Sequence, residues 1–146
     1  MVSFEELVDD IKSSIKTLLS ENSITINCDF NEIDETATLK PYLYSIFFNL
    51  ITNSIKYRKE NSPLLIHVKS KKLEKGVELS FTDNGMGIDL ATHGHDVFGL
   101  YKRFHEHIDG KGMGLYMVKT QTEALGGTVS VFSQENQGTT FIIKIY

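Results

Sequence analysis

The chain has no tryptophan, one cysteine and two prolines among its 146 residues. A lone cysteine excludes an internal disulfide, so the core and the hydrogen bonds must hold the fold. Cys28 lies in a run that alternates like a strand, from Ile24 to Phe30, and its thiol is expected on the buried face. That usage fits a reducing, cytoplasmic setting. No apolar run approaches the ~20 residues that span a bilayer. The N-terminus lacks the basic-then-apolar order of a secretion signal. Membrane attachment would therefore have to lie outside this chain. Positive charge is also scarce: 15 Lys and Arg stand against 19 Asp and Glu, giving a formal net charge of -4. A nucleic-acid binder usually carries a basic patch or stripe, so nucleic acid is not an expected partner. There is no repeat, low-complexity tract or Pro/Ser-rich linker, and residues 1–146 read as one domain of ordinary size.

What is present is well-phased periodicity. Phe4, Leu7, Val8, Ile11, Ile15, Leu18 and Leu19 follow helical spacing, with Ser3 and Glu6 set as a capping box. Leu39 to Tyr57 reads as a second helix, with Leu43, Ile46, Phe47, Leu50 and Ile51 on its apolar side and Pro41 in its first turn. Leu64 to Val68 and Val77 to Phe81 read as strands joined around Lys75-Gly76. A third helix runs from about Gly114 to Leu125 and stops at Gly126-Gly127. Val129–Val131 and Phe141–Ile145 read as a hairpin turning at Asn136-Gln137-Gly138. The order predicts an α/β fold: a two-layer sandwich, with a mixed sheet carrying helices on one face.

Four segments concentrate the chemistry. In Asn49-Leu50-Ile51-Thr52-Asn53-Ser54-Ile55-Lys56-Tyr57, residues Asn49, Asn53 and Lys56 share one helical face. Carboxamide oxygens are hard ligands suited to Mg2+, and an ammonium suits phosphate, although a solvated helix face would look the same. Asp83-Asn84-Gly85-Met86-Gly87-Ile88 places an acid at a strand end before two glycines, where backbone can approach a ligand; alone it is an ordinary turn. Val97 to Phe104 sets aromatics around Lys102-Arg103, which a core-packing helix edge explains equally. Gly110-Lys111-Gly112-Met113-Gly114-Leu115 opens a helix with three alternate glycines, exposing backbone N–H groups to an anion. It has neither Walker nor dinucleotide spacing, and taken alone a flexible loop is an alternative reading of it.

In order and content the four segments resemble the ATPase fold shared by histidine kinases, gyrase, Hsp90-type chaperones and MutL. Asn49 to Tyr57 resembles the N box, Asp83 to Gly87 the G1 box, Phe98 to Phe104 the F box and Gly110 to Gly114 the G2 box. Gly138-Thr139 resembles the final Gly-Thr element. The Lys56-Tyr57 ending and Val118-Lys119 resemble the histidine-kinase branch, as does the lead-in helix and strand.

The resemblance implies a mostly antiparallel Bergerat-type sheet and the ATP-binding catalytic domain of a sensor histidine kinase. It also implies a site-by-site assignment. Asp83 accepts a hydrogen bond from the adenine amine, and Asn53 coordinates Mg2+. Lys56 and Arg103 neutralise phosphate, and Tyr57 lies against the base. Gly85 and Gly87 shape the turn. Gly110, Lys111, Gly112, Met113, Gly114 and Leu115 hold the phosphates, and Thr139 completes the base site. A lid is implied between about Thr92 and Gly112. In the hydrolytic members a glutamate stands at the place of Asn49 and activates water; an amide cannot accept that proton. The implied reaction is transfer of the γ-phosphate of ATP to a histidine on a dimerisation domain outside this chain, with a response regulator reached indirectly. A serine kinase of the anti-sigma type and a non-catalytic nucleotide-binding module remain alternatives. The pairs His93-x-His95 and His105-x-His107 lack a Cys or carboxylate cluster to complete a metal site, so surface or lid positions are expected for them and for His67.

Overall fold

The computed structural model describes residues 1–93, 97–99 and 114–146. The chain enters through β1 (Val2–Ser3), α1 (Phe4–Ser14) and α2 (Lys16–Glu21), then β2 (Ile24–Asp29) and β3 (Glu35–Thr36). The long helix α3 (Lys40–Lys56) leads to the pair β4 (Leu64–Leu73) and β5 (Gly76–Asp83) and the short α4 (Leu90–His93). Helix α5 (Gly114–Ala124) precedes the closing hairpin, β6 (Thr128–Gln134) and β7 (Gly138–Ile145).

One five-stranded sheet, in the order β2-β4-β5-β7-β6, organises the domain. β2 and β4 run parallel and the other neighbours antiparallel, as the resemblance implies. Strand alternation turns one face inward: Leu64, Ile66 and Val68 of β4, Val77, Leu79 and Phe81 of β5, and Phe141, Ile143 and Ile145 of β7 are buried. The opposite face of β4 shows Leu65, His67, Lys69 and Lys71 to solvent. The helices cover the inward face, where Phe47 of α3 meets Phe81 edge-on at 5.0 Å between ring centroids and Phe4 of α1 at 6.2 Å. Burying aromatics of this size contributes a few kcal/mol each. Asp83, at the end of β5, thus meets the last turn of α3 at Ser54, with Thr139 opposite it in register.

The expected first helix is two. Its cap forms as predicted, with the Glu6 N–H donating to Ser3 Oγ at 3.3 Å. The Ser14 hydroxyl then donates to the Asp10 carbonyl four residues back, at 3.0 Å, a contact that bends helices, and regular backbone breaks at Ile15. Leu18 is consequently exposed. Cys28 also differs from expectation. Its strand phase does match that of Ile24 and Ile26, and it stands opposite Val68. The thiol is nonetheless exposed, on a strand that lies at the sheet edge. Strands β4 and β5 extend past the sequence estimate, so Asp83 belongs to the strand rather than following it. The two-residue pair β1–β3 is too short to leave a periodic signal.

Candidate functional site

Helix α3 carries the first group of candidates. Asn49, Asn53 and Lys56 lie half-buried along it, while Leu50, Ile51 and Ile55 enter the core. Asn49 Nδ2 donates to Ser45 Oγ at 3.2 Å. A Cβ placed on Gly114 would lie 3.6 Å from Asn49 Oδ1, so the start of α5 abuts this part of α3, and Leu115 follows it into the core. Lys56 holds its ammonium 5.8 Å from the centre of the Tyr57 ring, within reach of a cation–π attraction. No hydrogen bond to the Asn53 side chain is found among the described residues, leaving its amide available to a ligand.

The Asp83 carboxylate is the most constrained polar group of the site. It is buried at the end of β5. The Ser54 hydroxyl donates to Oδ2 at 2.7 Å, and the Gly85 N–H donates to Oδ1 at 2.9 Å. Burial pushes the Asp83 carboxyl above its usual range, while the Gly85 N–H, the Ser54 hydroxyl and the Thr139 backbone pull it back. Ser54 also lies 3.2 Å from the Leu50 carbonyl. Asp83 is therefore a built acceptor: a carboxylate held by neighbouring donors, with acceptor capacity left over.

The turn after Asp83 is tied to both neighbours. The Met86 N–H donates to the Tyr57 carbonyl at 2.9 Å, fixing the turn to the end of α3. A Cβ on Gly85 would stand 2.8 Å from that carbonyl and 3.0 Å from Asp83 Oδ1. Gly87 has φ +72, and a Cβ there would lie 2.0 Å from the Gln134 carbonyl, so glycine is required for both conformation and space. Across the sheet, Thr139 pairs with Asp83 in register and is buried. Phe98, in the third segment, packs against Phe141 at 6.1 Å, and its neighbour Val97 is buried.

Asn49, Asn53, Lys56, Tyr57, Asp83, Gly85, Gly87, Gly114, Leu115 and Thr139 are thus gathered around α3 and the ends of β5 and β7. Arg103, Gly110, Lys111, Gly112 and Met113 lie outside the described residues, as do His95, His105, His107 and most of the expected lid. A cleft of about 640 Å³ lies beyond the end of α3, lined by Glu21, Asn22, Arg58 and residues 59–63, but Lys56 alone of the candidates reaches it. A recess of about 270 Å³ is bordered by Asp83, Ser133, Gly138 and Thr139. Of the gathered candidates, Asp83 and Thr139 line this recess, together with Thr82 and Phe132 of the exposed sheet face.

Two side chains that bond to the candidate group escape a reading by motif, Ser54 and Ser133. Each left a signal. Ser54 falls four residues after Leu50, in the apolar phase of α3. Ser133 falls in phase with Val129 and Val131 on β6. A polar residue in a core phase must find a partner there, and both do.

Comparison with known proteins adds the following. A family profile described as "Histidine kinase-, DNA gyrase B-, and HSP90-like ATPase" matches residues 38–146. Cyanobacterial phytochrome A of Nostoc is 31% identical over 99% of this chain, which spans 19% of that protein. Among solved structures, the mycobacterial sensor histidine kinase MprB superposes with a TM-score of 0.80 at 22% identity, covering 99% of this chain and 95% of that one. Full-length ShkA in complex with AMPPNP superposes with a TM-score of 0.80 at 22% identity, covering 99% of this chain and 30% of ShkA. At these identities the structural likeness speaks for the fold.

Proposed function

We propose that this chain, which belongs to the histidine kinase-, DNA gyrase B- and HSP90-like ATPase family, holds Mg-ATP and presents its γ-phosphate to a histidine on a separate dimerisation domain. The observation that carries the reading is Asp83: a buried carboxylate held by the Ser54 hydroxyl, the Gly85 N–H and the Thr139 backbone, with acceptor capacity to spare. An adenine amine supplies the missing donor, whereas guanine turns a carbonyl to the same place. The AMPPNP bound by ShkA, an ATP analogue in the same fold, supports a nucleotide here.

The other candidates follow from charge and reach. Lys56 meets phosphate, with Arg103 and the Gly110 to Leu115 segment completing that role. Tyr57 lies against the base. Asn53 fits Mg2+ because its carboxamide oxygen is hard and has no competing partner among the described residues. When bound, the ion neutralises charge between the phosphates. Asn49 holds its place beside Gly114 without acting as a base, which leaves the phosphoryl group for a nucleophile brought from outside. The parent protein is a two-component sensor kinase whose dimerisation domain is the direct partner and whose response regulator is the indirect one. No helix among the described residues is long and apolar enough to cross a membrane, and the reading places the domain in the cytoplasm.

Asn53→Ala tests the cation assignment. Calorimetric titration of the native chain with ATP, with Mg2+ and with chelator, is expected to show tighter binding with the metal. The variant is expected to lose about tenfold in Mg-ATP affinity, one good ligand's worth, while its circular dichroism stays native. A folded variant with unchanged Mg-ATP affinity refutes the role.

A further inference from the structure

Ser133 stands at a three-way junction. The Ile88 N–H, just past the glycine turn, donates to Ser133 Oγ at 2.8 Å. The same oxygen lies 2.8 Å from the Gly138 carbonyl and 2.8 Å from Thr139 Oγ1. A serine hydroxyl has one hydrogen and two acceptor lone pairs. The Gly138 carbonyl cannot donate, so the serine hydrogen must go there. The two lone pairs then receive the Ile88 N–H and the Thr139 O–H. No other assignment makes all three contacts hydrogen bonds.

The consequence falls on Thr139. Its single hydrogen is committed to Ser133, so toward any ligand its oxygen can only accept. Thr139 stands opposite Asp83 in the sheet register, buried beside it, and an ionised Asp83 also only accepts. We propose that Ser133 is a specificity-determining positioning residue: by fixing the direction of the Thr139 hydroxyl, it makes the wall at the ends of β5 and β7 acceptor-only and so selects a purine 6-amino group over a 6-oxo group. The inference rests on the nucleotide reading above and adds to it how the base is chosen. Without Ser133 the Thr139 hydroxyl rotates and donates to a 6-oxo group, and selectivity declines even where overall affinity survives.

Mg-ATP and Mg-ITP differ in the base only by amino against oxo at position 6, with the accompanying N1 proton, and so serve as probes. Calorimetric affinities for both are measured on the native chain, Ser133→Ala, Ser133→Thr, Thr139→Val and the double variant Ser133→Ala with Thr139→Val. The native chain is expected to favour ATP. Ser133→Ala is expected to lower the ATP-to-ITP affinity ratio about tenfold, the worth of one reoriented hydrogen bond, and Ser133→Thr to retain it. In the Thr139→Val background, Ser133→Ala is expected to change the ratio no further, as coupling through one hydroxyl requires. Equal weakening of both nucleotides in Ser133→Ala, with the ratio intact, overturns the proposal and leaves Ser133 a purely structural link. An equally large fall of the ratio in the Thr139→Val background also overturns it. Should Ser133→Ala fail to fold, Thr139→Val alone decides: a lowered ratio supports the proposal and an unchanged one overturns it. A native chain that binds neither nucleotide refutes the nucleotide reading itself, a failure distinct from loss of selectivity.

Discussion

Asp83→Asn binds Mg-ATP ten to a hundred times more weakly than the native chain while remaining folded. The substitution keeps the shape. The Asn oxygen can still receive the Gly85 N–H that now reaches Oδ1 at 2.9 Å. The new amide can donate to Ser54 Oγ, whose own hydrogen has the Leu50 carbonyl 3.2 Å away. What changes is the character presented to the base, from acceptor to a mixture of donor and acceptor. Losing one hydrogen bond to a charged acceptor costs about 1.5–3 kcal/mol, or roughly ten- to a hundredfold in affinity. Asp83→Ala shows a comparable loss, with an added stability cost because the Gly85 N–H loses its partner. Calorimetry for affinity and thermal melting for fold separate the two. Equal affinity of the native chain for ATP and GTP would remove Asp83 from base recognition.

The same carboxyl sets a pH dependence with two opposite signs. Its folded-state pKa is raised by burial, so the native state holds a proton that the unfolded chain has already released. Its contribution to stability is therefore full below the unfolded carboxylate range, about pH 4, and declines as pH rises through the raised value. Nucleotide binding needs the ionised form and moves the other way, declining as pH falls through that value. Asp83→Asn is expected to flatten both profiles. At neutral pH it should be no less stable than the native chain, since a buried charge has been removed.

The larger effect is on catalysis. The isolated chain is expected to bind ATP yet to hydrolyse it at least about a hundredfold more slowly than a homologue with a general base in the place of Asn49. The amide of Asn49, bonded to Ser45, takes no proton from water. The chain should likewise not label itself from γ-labelled ATP, because in-line transfer needs a nucleophile positioned by another domain. His67 projects from the exposed sheet face, away from the buried end of β5. Adding a helical dimerisation domain that bears an acid-flanked histidine is expected to produce acid-labile label on that domain. Strong label on this chain alone contradicts the reading, and acid-stable label on an added protein's serine favours an anti-sigma kinase instead.

The architecture was legible where periodicity is long. Helix α3 was expected from Leu39 to Tyr57 and runs Lys40–Lys56, because many apolar positions at helical spacing share one side. Two of the four segments supply Asn49, Asn53 and Asp83, the Gly138-Thr139 element supplies Thr139 through the family resemblance, and folding brings these four to a common place. The misses have physical causes. The break at Ile15 leaves the apolar spacing from Phe4 to Leu19 intact, so periodicity does not report it. The exposure of Cys28 depends on β2 lying at the sheet edge, which alternation within one strand cannot report. Ser54 and Ser133 carry no motif of their own, and their contacts to Asp83, Ile88 and Thr139 arise only when the chain folds.

The central claim is that nucleotide binds at the end of the sheet beneath α3. Titrating the isotopically labelled chain with Mg-ATP, while following backbone amide resonances, tests it directly. The account predicts that the largest shifts among the described residues fall on Asn53 to Tyr57, Asp83 to Gly87, Gly114 and Thr139, and that they are lost in Asp83→Ala at the same ATP concentration. Shifts confined to Glu21, Asn22 and residues 58–63 around the larger cleft, or no saturable shifts at all, would contradict it.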